Sequence, residues 1–366
     1  MTTSTRSALD GVGLALPALR GEQGGRTLYL TLPTNAVLTG FFPSEIEGSE
    51  DRSQRPLDLA HARQIRDYIV SNANGHALGA LVYAVDKAGI FEEVAAGTGI
   101  GVLRLPLDAR LRSIDGQHRR EGIRQAIPTV PELQNQSTAV IIYVEPDIAG
   151  RRQMFSDMNN TARKVSKALN VSFDSRDPFA RAAVRISEEH LLLKGRVDRL
   201  SPRVLQGSGS LFTLAAIYDA LKRLFVGPVG RVKDATRYDE GEVIARGIQF
   251  FDALSSARPE LRELSADELD SLRSKSILLS STTLRVLASA VWSAAEERAD
   301  IDEIFLKLPK VLERIDFRPA AGIWQESGFI PTGRTTPNAR SQEMKAASDS
   351  LAQLIANSPL EERGNE

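Results

Sequence analysis

The sequence predicts an α+β protein, with a mixed α/β N-terminal half followed by a mainly helical C-terminal half. Three observations predict it. Alternating and β-branched apolar runs are confined to the first half, where helix-spaced runs interrupt them. After Pro178 the apolar residues recur at helical spacing, with no convincing strand. The 366 residues are 42% hydrophobic, enough for a real core in one large or two ordinary domains.

Taken in order, residues 1–25 are Gly-rich and read as an irregular N-terminus. Gly11-Val12-Gly13 is not a dinucleotide fingerprint, because no strand precedes it and Pro17 follows too soon. Residues 26–32 alternate and predict a strand. A helix follows over 57–70, with Leu59, Ile65, Ile69 and Val70 apolar. Residues 78–85 read as a buried strand, 92–101 as a loop, 101–105 as a short strand and 109–114 as another. A helix then runs until Pro128 stops it. The β-branched run 139–144 reads as a central strand. Over 148–162 a helix turns Phe155 and Met158 to the core. Together these make one domain over 26–175.

Helices are then predicted over 179–193, 211–225, 242–254, 266–279, 282–298 and 301–315, a helical domain over 176–320. Ser201-Pro202-Arg203 and Gly207-Ser208-Gly209-Ser210 are connectors. Residues 321–366 hold a loop over 324–340 and a last helix over 342–356.

Composition excludes several chemistries. With no cysteine, the chain cannot carry sulfur as a persulfide or thiolate, nor hold an iron–sulfur cluster through its own Cys. His61, His76 and His190 are too scattered to mark a zinc site. Walker A, His-Glu-x-x-His and Gly-x-Ser-x-Gly segments are missing, which disfavours a P-loop ATPase or a serine hydrolase. No apolar run approaches 18 residues and Met1–Ser7 lacks a signal-peptide core, so a cytoplasmic protein with no membrane partner is expected.

The net charge of −1 provides no global field towards DNA. Basic residues do cluster locally, over 104–124, at Arg151-Arg152 and over 194–237. Such clusters fit either salt-sensitive polyanion binding or ordinary solvated helix faces. In the first reading Arg151, Arg152, Arg203, Lys222, Arg223, Arg231 and Lys233 contact DNA phosphates, and the helical half supplies base contacts or dimerisation.

The most informative segment is Ser113-Ile114-Asp115-Gly116-Gln117-His118-Arg119-Arg120-Glu121-Gly122. A strand, a glycine turn and a helix opening on Gln, His and two Arg can form an anion site. Gly116 allows a sharp turn and close backbone approach. Gln117 and His118 would donate from the helix start, Arg119 would clamp a phosphate and Arg120 would stand second in line. Asp115 would hold Mg²⁺ or merely cap the helix. A bland reading stays open beside this: a cap, a turn glycine and a solvated arginine face. A nuclease reading has only Asp108, Asp115 and Asp157, whose spacing supports no two-metal site.

Asp115-Gly116-Gln117-His118-Arg119 resembles the signature of the DGQHR-domain family, whose best-known members are the DndB proteins, encoded beside the enzymes that place sulfur in the DNA backbone. More distantly, Gly116–Arg120 resembles the phosphate-holding strand–turn–helix of ParB and sulfiredoxin, although Gln117 stands where sulfiredoxin has its Cys. Gln54-Arg55-Pro56-Leu57-Asp58 with the run 62–69 is similar to the family's early helix, and the run 154–164 to its "Phe…Asn…Lys" helix end. The resemblance covers residues 25–240.

It implies a ParB/sulfiredoxin-like first domain that binds ATP or CTP with Mg²⁺, with Asn159, Asn160 and Lys164 closing over the ligand. It also implies a transcriptional regulator, expected to be a repressor, of a DNA phosphorothioation gene cluster. Its expected partners are promoter double-stranded DNA and other DNA sulfur-modification proteins, and by analogy a second copy in a homodimer. The alternative is an accessory nucleotide-binding protein or weak ATPase of the same system.

Overall fold

A computed structural model of the chain describes residues 13–43, 57–106, 108–145, 147–161, 166–232, 234–298 and 300–359, with the side chains of 159–161, 297 and 298 excepted. The chain divides into two compact units, Met1–Arg163 and Lys164–Glu366. The fold is α+β: one mixed seven-stranded sheet in the first unit, and a second unit that is mostly helical. No helix among the described residues is long and apolar enough to cross a membrane.

The first unit opens with a hairpin of β1 (Gly13–Gln23) and β2 (Arg26–Thr31). An irregular N-terminus was expected over 1–25; residues 13–25 form this hairpin instead, and 1–12 lie outside the described residues. The two-residue turn Gly24-Gly25 takes positive φ at both positions, as a tight hairpin requires. Leu16 and Ala18 point inward while their neighbours face out. Pro17 is tolerated because its carbonyl, and with it the missing N–H, faces β2, whose pairing begins only at Ala18.

Helix α1 (Asn35–Phe41) is capped by Thr34, and α2 (Leu59–Ser71) by Asp58. Strand β3 (Leu81–Val85) is buried throughout. Next come β4 (Ile90–Glu93) and β5 (Ile100–Pro106), which pair antiparallel around a loop shorter than the one expected over 92–101. β6 (Leu111–Asp115) leads into α3 (Gln117–Ala126), then β7 (Val140–Val144) and α4 (Ile148–Thr161) follow.

The strand order is β4-β5-β1-β2-β7-β3-β6. Only β3 and β7 run parallel, and β7 lies in the interior as its β-branched sequence predicts. One core joins the sheet to α1, α2 and α3 through Leu38, Phe42, Ile69 and Ile123. A smaller one holds Met154 of α4 with Val82, Ala84, Ile114 and Tyr143. Helices α2 and α3 cross closely at Gly122, where a Cβ would lie 2.6 Å from Ile65 Cγ2.

In the second unit, α5 (Lys167–Phe173) and α6 (Pro178–Glu189) precede two short strands, β8 (Val197–Asp198) and β9 (Phe212–Thr213). This parallel pair is the one departure from an all-helical second half among the described residues. Helices α7 (Leu214–Val226), α8 (Glu240–Ala257), α9 (Ala266–Lys275), α10 (Ser281–Arg298) and α11 (Ile301–Arg314) follow. The segment expected as loop over 324–340 begins inside α12 (Gly322–Glu326), because the fully buried Trp324 anchors it by donating to the Asp316 carbonyl at 2.7 Å. Helix α13 (Ser341–Ala356) ends the fold. α10 packs on α7, α11 and α13, and buries Leu284, Leu287, Ala288, Val291 and Ala294. A helix apolar on several sides belongs at the centre of such a bundle.

Candidate functional site

The signature segment starts at a sheet irregularity. Val82 pairs with Asp115 and Tyr83 with Ser113, so Ile114 is an extra residue in β6. Such a bulge sharpens the local twist and re-aims the strand end. Gly116 then takes φ +99°, a left-handed conformation that L side chains rarely adopt. A Cβ there would also lie 2.8 Å from Leu81 Cγ. Both facts call for glycine.

Gly116 is the N-cap of α3, and no side chain caps the helix. Arg120 is the residue whose N–H reaches the Gly116 carbonyl, at 2.9 Å. Asp115, offered as a cap, instead pairs with Arg119 Nη2. Arg119 also donates through Nη1 to the Ala80 carbonyl at 2.9 Å. Two of its five N–H groups are thus used, and three have no partner among the described residues. Gly79 leaves room for this guanidinium, since a Cβ there would lie 3.0 Å from Arg119 Nη1.

His118 was expected to donate from the helix start. Instead its Nε2 accepts the Asp58 N–H at 2.9 Å, while its ring meets that of His61 edge-on at 5.0 Å between centroids. The Asp58 carboxylate accepts the N–H groups of His61 and Ala60, which holds its pKa below the ordinary value. Sequence reasoning missed both partners of His118. The signal for Asp58 was its place just before an apolar-periodic helix, the ordinary mark of an N-cap.

Burial, and then the nearby His61, hold the His118 pKa below 6.5, against the opposing pull of Asp58 and Asp115. A folded-state pKa below the unfolded value means the unfolded chain takes up the proton first. Stability is therefore intact above about pH 6.5 and falls as the pH drops towards the folded-state pKa, levelling beneath it. His190 shifts the same way for the same leading reason. His118→Gln is accordingly expected to flatten, without abolishing, the loss of stability below pH 6.5. Denaturant titrations at several pH values check this, and identical slopes in the two proteins would remove His118 as a contributor.

Other expected site residues face inward. Gln117 is 4% exposed and Arg120 6%, so neither side chain is placed as an open donor at the helix start. Arg120 donates to the Thr39 carbonyl of α1 at 2.7 Å, and burial lowers its pKa. Beside it burial pushes Tyr83 up to about 12. The helix face that carries Arg120 is the one packed on the sheet, and helical spacing dictates that orientation. The side chains of Asn159 and Asn160, and all of Lys164, lie outside the described residues.

The residues expected to touch DNA also divide. Arg151 is 5% exposed and donates to the Glu145 carbonyl at 3.1 Å. Lys222 reaches Asp177 at 3.2 Å, bonds to the Tyr218 hydroxyl and lies over the Tyr218 ring. Arg223 donates to the carbonyls of Gly227 and Gly230 at 2.7 and 3.1 Å, closing the turn after α7. These three are therefore engaged with acceptors of their own unit, as charged groups that lose solvent must be. Arg152, Arg203 and Arg231 are exposed, and Lys233 lies outside the described residues. Elsewhere in the basic clusters, Arg196 binds the Leu261 and Leu264 carbonyls, and Arg104, Arg199 and Arg237 pair with Glu92, Glu188 and Asp234. Among the described residues, no group of three His, Asp or Glu could hold a metal ion.

Neither the curated proteins nor the solved structures contain a match to this chain. One family model matches residues 16–356, nearly the whole chain and both units: DndB, described as DNA-sulfur modification-associated. The chain that carries Asp115-Gly116-Gln117-His118-Arg119 on this strand–bulge–helix belongs to the DndB family and so to DNA sulfur modification.

Proposed function

We propose that the chain is a DNA-binding regulator, acting as a repressor, of a DNA sulfur-modification gene cluster, and that its DGQHR turn binds the phosphate of a nucleotide. One observation carries the phosphate reading. Among the described residues the N-terminus of α3 has no side-chain cap, opens on a left-handed glycine and has beside it an anchored Arg119 with three uncommitted N–H groups. Helix-terminal N–H groups and a guanidinium together favour a bound phosphate. The resemblance of Gly116–Arg120 to the ParB and sulfiredoxin segment makes ATP or CTP with Mg²⁺ the ligand to try. Asp115 would then exchange its pairing with Arg119 for the metal. DNA contacts are assigned to the exposed Arg152, Arg203 and Arg231.

The experiment is anisotropy with labelled DNA from the region upstream of the gene against scrambled DNA, at two salt concentrations, with and without ATP or CTP and Mg²⁺. Specific, salt-sensitive binding is expected, modulated by one nucleotide. Arg119→Ala is expected to weaken nucleotide binding by about tenfold or more, the order of one charge-assisted contact. Unchanged nucleotide affinity in that variant would remove the phosphate site. Nucleotide turnover without DNA binding under any condition would make the protein an accessory NTPase.

A further inference from the structure

In the second unit α8 lies against both α6 and α11, and a crevice opens on each side of it. The crevice towards α6 has a volume of about 320 Å³, with Ile186, Leu191, Ile244 and Ile248 among its walls. The crevice towards α11 has a volume of about 410 Å³ and includes Phe305, Leu306 and Pro309. Asp252 lines both, so the two crevices adjoin on one face of the unit. Leu191 and Leu306 stand 81% and 62% exposed along it.

Carboxylates outnumber cations on this face, beside the neutral Gln249 and Ser256. Glu189, Asp252 and Asp302 line it against the single cation Arg185, which is already paired with Glu189 at 3.1 Å. His190 adds no positive charge: its Nδ1 accepts the Leu192 N–H at 3.2 Å, its Nε2 meets Asp252 Oδ1 at 3.1 Å, and burial lowers its pKa. A further acceptor comes from the backbone. Pro309 lies inside α11 and has no N–H, so the Phe305 carbonyl lacks its usual helical donor. Both residues line the crevice towards α11.

We propose that this face docks a cationic amphipathic helix of a partner protein, one that sets Leu-like residues beside Lys or Arg at helical spacing. Apolar walls take its apolar stripe, and the acceptors take its cations. DNA is repelled from the same face by the carboxylates, so this surface and any polyanion site are separate.

The test uses the full chain and three synthetic peptide probes: a Leu/Lys amphipathic helix, the same composition scrambled to remove its apolar face, and a Leu/Glu counterpart. The Leu/Lys helix is expected to bind about tenfold or more tightly than either control. It should slow hydrogen exchange over 185–191, 244–256 and 302–309. Asp252→Asn with Asp302→Asn keeps acceptors for His190 and Gln249 but removes both charges. That pair, and separately Leu306→Glu, should weaken binding about tenfold. Equal binding of the three peptides, no binding, protection elsewhere, or affinity unaffected by these variants overturns the proposal. So does a dimer in sedimentation that Leu306→Glu dissociates, because the face then belongs to a second copy.

Discussion

Gly116→Ala is expected to destabilise the first unit by about 3 kcal/mol and to remove the phosphate site with it. A left-handed conformation costs an L-residue about 1–2 kcal/mol. Overpacking a closed contact adds about 1–3 kcal/mol. Here the new Cβ would meet Leu81 at 2.8 Å from Cγ and 3.3 Å from the Cα of β3, and backbone inside a sheet yields little. To relieve the strain, the chain would have to rotate the first turn of α3 and so displace Arg119 from the Ala80 carbonyl. Far-UV circular dichroism melting, with hydrogen exchange on the α3 amides, checks the first part; nucleotide titration checks the second. A variant as stable as the parent would show that the turn does not need its left-handed residue.

Phe179→Ala is expected to cost the second unit about 3–5 kcal/mol, the usual range for a buried Phe. Phe179 is wholly buried in the first turn of α6 and meets Phe225 of α7 and Tyr238 edge-on, at 5.5 and 5.0 Å between centroids. Lys222 lies over the same ring at 5.6 Å. Truncation therefore opens a cavity and also takes one wall from the Lys222–Tyr218–Asp177 cluster. Both tryptophans, Trp292 and Trp324, lie in this unit, so their fluorescence follows its unfolding. A loss below about 1 kcal/mol would mean that the neighbouring rings collapse into the space.

Much of the fold was legible from local pattern. The β-branched run 139–144 became an interior strand, whereas the helix caps Asp58, Ser166 and Asp177 went unread although each has the residue type of an N-cap. Of the first hairpin only the second strand was legible, although Gln23-Gly24-Gly25-Arg26 carries a two-residue turn signal, because the surrounding glycines mask the alternation of Leu14, Leu16 and Ala18. β8 and β9 were missed because two-residue strands have no period of their own.

The candidate site shows the same division more sharply. A left-handed turn at Gly116 and a helix opening on Gln117 follow from residue type and order alone, because backbone preference is local. Which of the site's polar side chains are available does not. Arg119 and Arg120 are adjacent in sequence, yet one lies partly open at a helix end and the other is buried on a carbonyl of α1, 81 residues away. Lys222 and Arg223 likewise read as surface charge in the sequence, but in the fold the Asp177 carboxylate and the Gly227 carbonyl lie beside them. By itself the sequence determined the class of fold, the turn and the family. Only the tertiary structure decided which charges are spent inside and which face solvent, because a charge is satisfied by whatever the fold brings near it.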